Sequence, residues 1–380
     1  MINILTFGVA LIAAAINAMP IYRLLIALKS RQTVSKYAPE AHQQKQGTPT
    51  MGGLIVAVGF LAGSVPFLIA SIRNPSAFNS VKSLAILGIY VGFAVIGFVD
   101  DYVVPRVVTG KRGLEWKQKI LMQFAVAGLS AWFLTEGFGL DWFVLVFLIL
   151  FFSNAYNFSD GLDALASLLL VGLGGGLILI AHMRDATNLE PILFALLGAI
   201  IPFLFLNKPK AKIFMGDVGS LPIGAVLGVA FGVLCFPNEL DFMYRHTTVP
   251  GFVPGQPPAY FRPQPEWQLY AALAVIAGMM IVELVPVPLQ ILSVKIRKKK
   301  LFSFTPIHHA FERMGWPEVK VVVWFFAAQL AMSLVAISIV SAMPTPMVIA
   351  RSAENQYKAG IRWHDEPDSV GALPTPGVNP

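Results

Sequence analysis

The sequence predicts an all-α integral membrane protein of about ten spanning helices, and three observations predict it. Of its 380 residues, 56% are hydrophobic and 13% charged, whereas soluble domains carry about 25% charged residues. Apolar runs recur along the chain at about 17–25 residues, the length that crosses a bilayer core. Lys and Arg gather in alternate connections, the asymmetry by which membrane proteins set their orientation.

Taken in order, the first span covers 3–26; it has no basic residues before it and no evident cleavage site after it, so it reads as a retained helix. The second, 51–71, follows Gly47-Thr48-Pro49-Thr50-Met51-Gly52-Gly53, and the third, 83–99, ends on Asp100 and Asp101. The fourth, 119–136, and fifth, 141–156, form a tight pair around 137–141. The sixth and seventh cover 162–182 and 189–206, and the eighth, 219–236, begins just after Asp217. The ninth, 268–294, holds Pro286 and Pro288, and proline interrupts a helix by removing an N–H and crowding the preceding turn. Freed backbone groups survive in a bilayer only under protein or beside water, so Glu283 and Gln290 are expected to face a protein-lined groove. The tenth is 321–343. Residues 1–343 thus read as one membrane domain. The Pro-rich tail 344–380 and the loop Pro237–Glu266 are too polar or too Pro-rich for a span, and the tail is expected to be disordered. No internal repeat of the inverted-transporter kind is evident.

With the N-terminus outside, the inner loops and their flanks carry nineteen of the twenty-eight basic residues, in 29–45, 106–119, 208–212 and 295–320. Both termini are therefore expected on the outer, periplasmic side. The net charge of +7 is explained by this bias and calls for no nucleic-acid partner. The single Cys235 lies in an apolar run, cannot form an intrachain disulfide and reads as a small buried residue.

The same topology puts the polar residues together. Asp100 and Asp101, then Asn154, Asn157, Asp160 and Asp163, then Asn207, Asp217 and Ser220, and finally His308 and His309 all fall at inner helix ends. Any one of these acids could be a helix cap. Four clusters on one face point to function, because carboxylates at membrane depth cost about 2.5–3.5 kcal/mol. Carboxylates and amides without a cysteine pair suit a hard cation such as Mg²⁺ better than zinc. Met215-Gly216-Asp217-Val218-Gly219-Ser220 and the 47–53 segment each open a helix, and helix N-termini attract phosphate. These residues point to Mg²⁺-assisted phosphoryl transfer at the cytoplasmic surface, with one substrate drawn from membrane lipid.

Read together, the segments Lys45–Gly53, Gly97–Tyr102, Asn154–Asp163, Ile213–Ser220, Pro306–Glu312 and Gly315–Glu318 resemble the polyprenyl-phosphate N-acetylhexosamine-1-phosphate transferase family. They are most similar to its phospho-N-acetylmuramoyl-pentapeptide transferase branch, which the 306–318 segment favours. The resemblance covers about Lys45 to Glu318. It implies a phosphoglycosyl transferase of the bacterial inner membrane that joins undecaprenyl phosphate to the phospho-sugar of UDP-N-acetylmuramoyl-pentapeptide and releases UMP. It also implies a homodimer.

Residue by residue, the resemblance implies that Asp217 binds Mg²⁺ with Asn157 beside it, and that Asp100 is the base on the lipid phosphate next to Asp101. Thr50, Asn154, Asn157, Asp160, Gly161, Leu162, Asp163, Asn207 and Phe214 would line the substrate pocket. Lys45 and Lys119 would meet phosphate or uridine, and His308 and His309 the sugar-phosphate side. Direct attack and a covalent phospho-aspartate route both stay open. Three departures stand out: Ala310 where a third histidine is common, Val104 where Lys is frequent, and Ala164 where Gly is usual. The rival readings are a sister enzyme acting on another UDP-sugar, and an inactive binding homologue or transporter. Coupled transport would place charges near the bilayer midplane, and here they lie at one edge.

Overall fold

The structure, a computed structural model, describes residues 1–28, 47–73, 80–108, 113–184, 186, 188–236 and 267–344. The described residues form a helical bundle. Its elements are α1 (Ile2–Ala27), α2 (Gly53–Arg73), α3 (Ser80–Phe98), a π-helical turn (Val99–Val103) and the short α4 (Val104–Val107). They continue with α5 (Trp116–Thr135), α6 (Leu140–Ser159), α7 (Leu165–Met183), α8 (Glu190–Asn207) and α9 (Asp217–Cys235). The last are α10 (Trp267–Ile276), α11 (Gly278–Leu284), α12 (Pro286–Arg297), α13 (Ile307–Arg313) and α14 (Glu318–Ser341).

Nine of the described helical stretches are long and apolar enough to cross a membrane. The chain is a multi-pass membrane protein. The expected fourth span, α5, is 20 residues long. It opens with Trp116-Lys117-Gln118-Lys119 and carries Gln123, and is not one of the nine. It nevertheless packs between α3 and α6 as a spanning helix would. The third stretch runs further than expected, from Lys82 through the π turn to Val107. The ninth is divided twice, at Ala277 and at Val285, and Pro286 opens α12. A proline at the first position of a helix forfeits an N–H that has no partner there. The tail beyond Pro344, the 237–266 loop and Lys45 lie outside the described residues.

At the centre is α9, buried from Val218 to Leu234. It packs against α6, α3 and α2. In lipid there is no hydrophobic drive between helices, so close backbone approach over small residues carries much of the packing. A β-carbon on Gly53 would lie 2.2 Å from Gly219 Cα, and one on Gly97 would lie 2.3 Å from the Asp217 backbone. Only glycine lets α2 and α3 press onto the start of α9 in this way. A second group joins α1, α2 and α8, and α14 closes the bundle against α7 and α10.

Contacts between helix ends agree with strict up-and-down alternation. Asn3 donates to Glu190, which also pairs with His182 Nδ1 at 3.0 Å. Lys82 meets Glu136 at 3.2 Å, and Tyr270 donates to the Cys235 carbonyl at 3.4 Å. All these residues belong to the end of the bundle expected outside. The starts of α2, α5 and α9 and the ends of α3 and α6 converge at the opposite end.

Candidate active site

The π turn carries Asp100 and Asp101 inward from the end of α3, and Asp217 is the first residue of α9. Carboxylate oxygens of Asp100, Asp101 and Asp217 all lie within 4.8 Å of one another, half-buried. Each is held by a separate partner. Asp100 Oδ1 accepts the Leu114 N–H at 2.8 Å. Asp101 Oδ2 accepts the Val218 N–H at 3.2 Å. Asp217 Oδ1 accepts from Asn157 Nδ2 at 2.7 Å, and the same nitrogen reaches Ser220 Oγ at 2.7 Å. Lys119, in the first turn of α5, donates to Asp217 Oδ2 and stands 3.7 Å from Asp100 Oδ2. Three like charges this close repel strongly, and one ammonium offsets only part of that repulsion.

The two glycine-rich turns differ from the sequence expectation that they cradle phosphate. They pair with each other instead. Gly52 N–H donates to Phe214 O at 2.8 Å, Gly53 N–H to Met215 O at 2.9 Å, and Phe214 N–H to Pro49 O at 2.9 Å. At the start of α9 the Val218 amide is already taken by Asp101. The glycines serve close helix approach, and the helix N-terminus holds a carboxylate in place. Gly216, at φ 71°, sits between Asp101 and Thr50; a β-carbon there would lie 2.5 Å from Asp101 Oδ2 and 2.8 Å from Thr50 Oγ1. Thr50 and the Phe214 ring are half-buried beside this pairing.

The loop between α6 and α7 holds the next group. Burial foremost, then the nearby Asp217 charge, push the Asp160 carboxyl well above the usual carboxylate range, against a lowering hydrogen bond from the Gly216 N–H. Asp163, 2% exposed, accepts the Ala211 N–H at 2.9 Å. Its own N–H donates to Glu318 Oε1 at 2.7 Å, across 155 residues of sequence. Leu162 is a core residue at 4% exposure.

Two expected pocket residues are turned to structural partners. Asn154, one turn before Asn157, donates to Gln123 Oε1 and to Leu150 O, both at 2.8 Å, tying α6 to α5. Asn207 accepts the Ala164 N–H and donates to Ile213 O, both at 2.9 Å, clamping the start of α7 to the segment before α9. Asn207, 3% exposed, is thus bonded through both its oxygen and its nitrogen, whereas both bonds of the half-buried Asn154 are donated by Nδ2. Asn157, in turn, offers its amide nitrogen to Asp217, which makes it an orienting donor as it stands, and the three carboxylates of Asp100, Asp101 and Asp217 lie close enough together that they could hold a cation.

The chain as a whole is similar to known proteins. The profile described as glycosyl transferase family 4 matches residues 83–234. Residues 45–55 match phospho-N-acetylmuramoyl-pentapeptide-transferase signature 1. The phospho-N-acetylmuramoyl-pentapeptide-transferase of Desulforamulus reducens is 31% identical over 353 residues, covering 88% of this chain and 94% of the relative. Those of Halalkalibacterium halodurans and Bacillus subtilis are 32% and 30% identical and cover 89% and 90% of their lengths. The chain belongs to the phospho-N-acetylmuramoyl-pentapeptide-transferase family.

The segment that the sequence tied to this transferase branch folds back onto the α6–α7 loop. His308, in the first turn of α13, is fully buried with Nδ1 2.7 Å from Glu283 Oε2. Its ring lies against Gly161: a β-carbon on that glycine would be 2.2 Å from His308 Nε2. His309, half-exposed, pairs through Nδ1 with Glu312 Oε2 at 2.6 Å. Glu283 thus does face protein, as does Gln290, whose Oε1 accepts the Leu301 and Phe302 amides at 2.9 Å. Nothing in the spacing of the sequence pairs Glu318 with Asp163 or Glu283 with His308.

The departures from the transferase pattern also find their places. Ala310 is buried at 8% exposure, where a histidine would be packed away from solvent. Ala164 caps α7 at φ 68°, a left-handed position that glycine adopts without a β-carbon clash. Val104 opens α4, directly after the π turn.

Proposed function

We propose that the protein transfers phospho-N-acetylmuramoyl-pentapeptide from its UDP conjugate to undecaprenyl phosphate. UMP is released, and the first lipid-linked intermediate of peptidoglycan synthesis is formed. The reaction takes place at the cytoplasmic face of the bacterial inner membrane. The observation that carries this reading is the Asp100–Asp101–Asp217 cluster with Lys119, at the end of the bundle where the basic connections lie. Family membership and the one-sided charge support it.

In the proposed step an oxygen of the lipid phosphate attacks the sugar-bearing phosphorus of the diphosphate. One P–O bond forms there as the bond to the departing UMP oxygen breaks. Such a transfer requires positioning and charge neutralisation more than covalent help. Asp100, aimed by the Leu114 amide, removes the proton of the incoming lipid phosphate. Lys119 neutralises phosphate oxygens as they approach the acids. Asn157, itself bonded to Ser220 Oγ, fixes the rotamer of Asp217. The half-buried carboxylate oxygens are hard donors that fit Mg²⁺, and Asp217, with Asp100 and Asp101 beside it, would hold the ion. Bound there, Mg²⁺ would supply positive charge to the diphosphate oxygens. Asp160, Gly161, Asp163, Phe214 and Thr50 border the substrate pocket, and His308 and His309 face the sugar-phosphate; the family resemblance assigns Lys45 to phosphate or uridine.

Purified protein incubated with undecaprenyl phosphate and a panel of UDP-sugars, with and without Mg²⁺, tests this through UMP release. Mg²⁺-dependent UMP release from the muramoyl-pentapeptide nucleotide is expected. Release from UDP-N-acetylglucosamine alone would establish the sister enzyme, and Ala310 in the branch-specific segment makes that arm of the panel worth running. No release from any nucleotide would leave an inactive homologue.

A further inference from the structure

Away from the carboxylate cluster lies a second buried polar pair, half of which the proposed reaction does not use. Glu283 is on α11, between the two interruptions of the ninth span, and His308 opens α13. Both side chains are 0% exposed, and they meet at 2.7 Å through Oε2 and Nδ1. A fully buried carboxyl is costly without a partner, and the imidazole is that partner. One atom on each remains unsatisfied: Glu283 Oε1 and His308 Nε2. Buried polar atoms are nearly always paired, so an unpaired ring nitrogen in a packed site calls for a ligand or a movement that supplies one.

The direction of that nitrogen is specific. His308 Nε2 points onto Gly161, where a β-carbon would lie only 2.2 Å away. Gly161 sits between Asp160 and Asp163 in the loop that borders the carboxylate cluster. The imidazole is therefore gripped from α11 on its Nδ1 side and presented to this loop on its Nε2 side. The hydrogen bond made by one ring nitrogen decides the state of the other. A carboxylate on Nδ1 holds the N–H there, leaving Nε2 to accept in the neutral ring or to donate with charge support in the protonated one.

We infer that Glu283 is a positioning residue for the transfer reaction, fixing the tautomer and aim of His308 so that Nε2 meets the sugar-phosphate side of the nucleotide substrate at the 160–163 loop. This rests on the phosphotransferase reading given above. A simple staple between α11 and α13 would hold the fold together but leave the specific activity of folded protein unchanged.

Two variants separate the readings. Glu283→Gln keeps an oxygen that can accept the Nδ1–H, and Glu283→Leu removes it. Glu283→Leu, measured on monodisperse protein, is expected to lower kcat about 10–100-fold, the range found for groups that orient ligating histidines. The KM for the nucleotide should change less, and Glu283→Gln should recover most of the rate. In a His308→Ala background, Glu283→Leu should cost less than about twofold more, because both changes then remove one function. Additive losses, or unchanged kcat in folded Glu283→Leu, would overturn the positioning role.

A readout independent of turnover keeps this distinct from the activity itself. In ¹⁵N-histidine-labelled protein, His308 is one of six histidines and is assigned by its absence in His308→Ala. Its Nδ1 should be protonated in wild type and in Glu283→Gln, and that state should be lost in Glu283→Leu. A neutral wild-type ring with the proton on Nε2 would overturn the inference even if UMP release is seen. Wild-type protein that turns over no UDP-sugar would instead defeat the proposed function, with the ¹⁵N signature still deciding the orientation of the ring.

Discussion

Asn157 and Asp217, 60 residues apart in the chain, meet at 2.7 Å, and the Asn157 nitrogen that makes this bond also holds Ser220 Oγ. The end of α6 and the start of α9 are thereby locked together at the carboxylate cluster. Asp217 is gripped on its other oxygen by Lys119 from α5. Three helices therefore set the position of one carboxylate.

Asp217→Ala should remove transfer activity by at least about 10²–10³-fold, the scale on which preorganised electrostatic groups act. The variant should still elute as folded protein, because the site contributes little apolar packing. UMP release per mole of monodisperse protein checks this, and near-wild-type rates would remove Asp217 from the site. Asn157→Leu should fall between the two, since it loosens Asp217 without deleting it.

Lys119→Met should leave the three acids without their ammonium. Repulsion among half-buried carboxylates then destabilises this end of the bundle by about 1–2 kcal/mol, a figure reduced for partial solvent screening. Millimolar Mg²⁺ should restore much of that loss, whereas chelation should expose it. Thermal unfolding with Mg²⁺ and with EDTA measures the difference. Equal stability of Lys119→Met in both buffers would argue against a cation at these carboxylates.

Gly161→Ala should impair transfer although it adds one methyl group. The new β-carbon would lie 2.2 Å from His308 Nε2, so ring or loop must shift. A turnover loss of about 10–100-fold is expected, comparable to that for other groups that aim a histidine. Steady-state kinetics with the muramoyl-pentapeptide nucleotide tests it, and an unchanged kcat would show that the ring is free to move without consequence.

Ala164→Gly should stabilise the protein. Ala164 begins α7 at φ 68°, where a β-carbon costs about 1–2 kcal/mol. Glycine gives part of this back through a freer unfolded chain, leaving a net gain of about 0.5–1 kcal/mol. Thermal unfolding in one detergent compares the two, and a lowered midpoint would contradict the strain argument.

Gly53→Ala should act in the opposite direction. Its β-carbon would meet Gly219 Cα at 2.2 Å and force α2 away from α9. Overpacking of this kind costs about 1–3 kcal/mol, and here it also moves Asp217. Lower yield of monodisperse protein and lower turnover should appear together; wild-type values for both would refute the close-approach reading.

Much of this site was legible because it lies at helix ends. Asp100, Asp101, Asn157 and Asp217 terminate or begin apolar runs, so topology alone placed them at one end of the bundle. The 47–53 and 215–220 turns were legible as glycine-rich helix starts, but their use was not. Their amides face each other's carbonyls, and only the meeting of α2 with α9 reveals it. Asn154 and Asn207 read as binding groups in one dimension, and only the fold shows that Gln123, Ala164 and Ile213 stand beside them as hydrogen-bond partners.

By itself, the sequence determined the membrane-spanning helical class, the alternation of the spans, the basic side and the family. Each of these follows from local composition, run length or short motifs, and local properties need no fold to be read. The tertiary structure decided the pairings that bridge long separations: Lys119 with Asp217, Glu318 with Asp163, and Glu283 with His308. No periodicity encodes such contacts, because they depend on how helices cross, and the crossings depend on which glycines let two backbones touch.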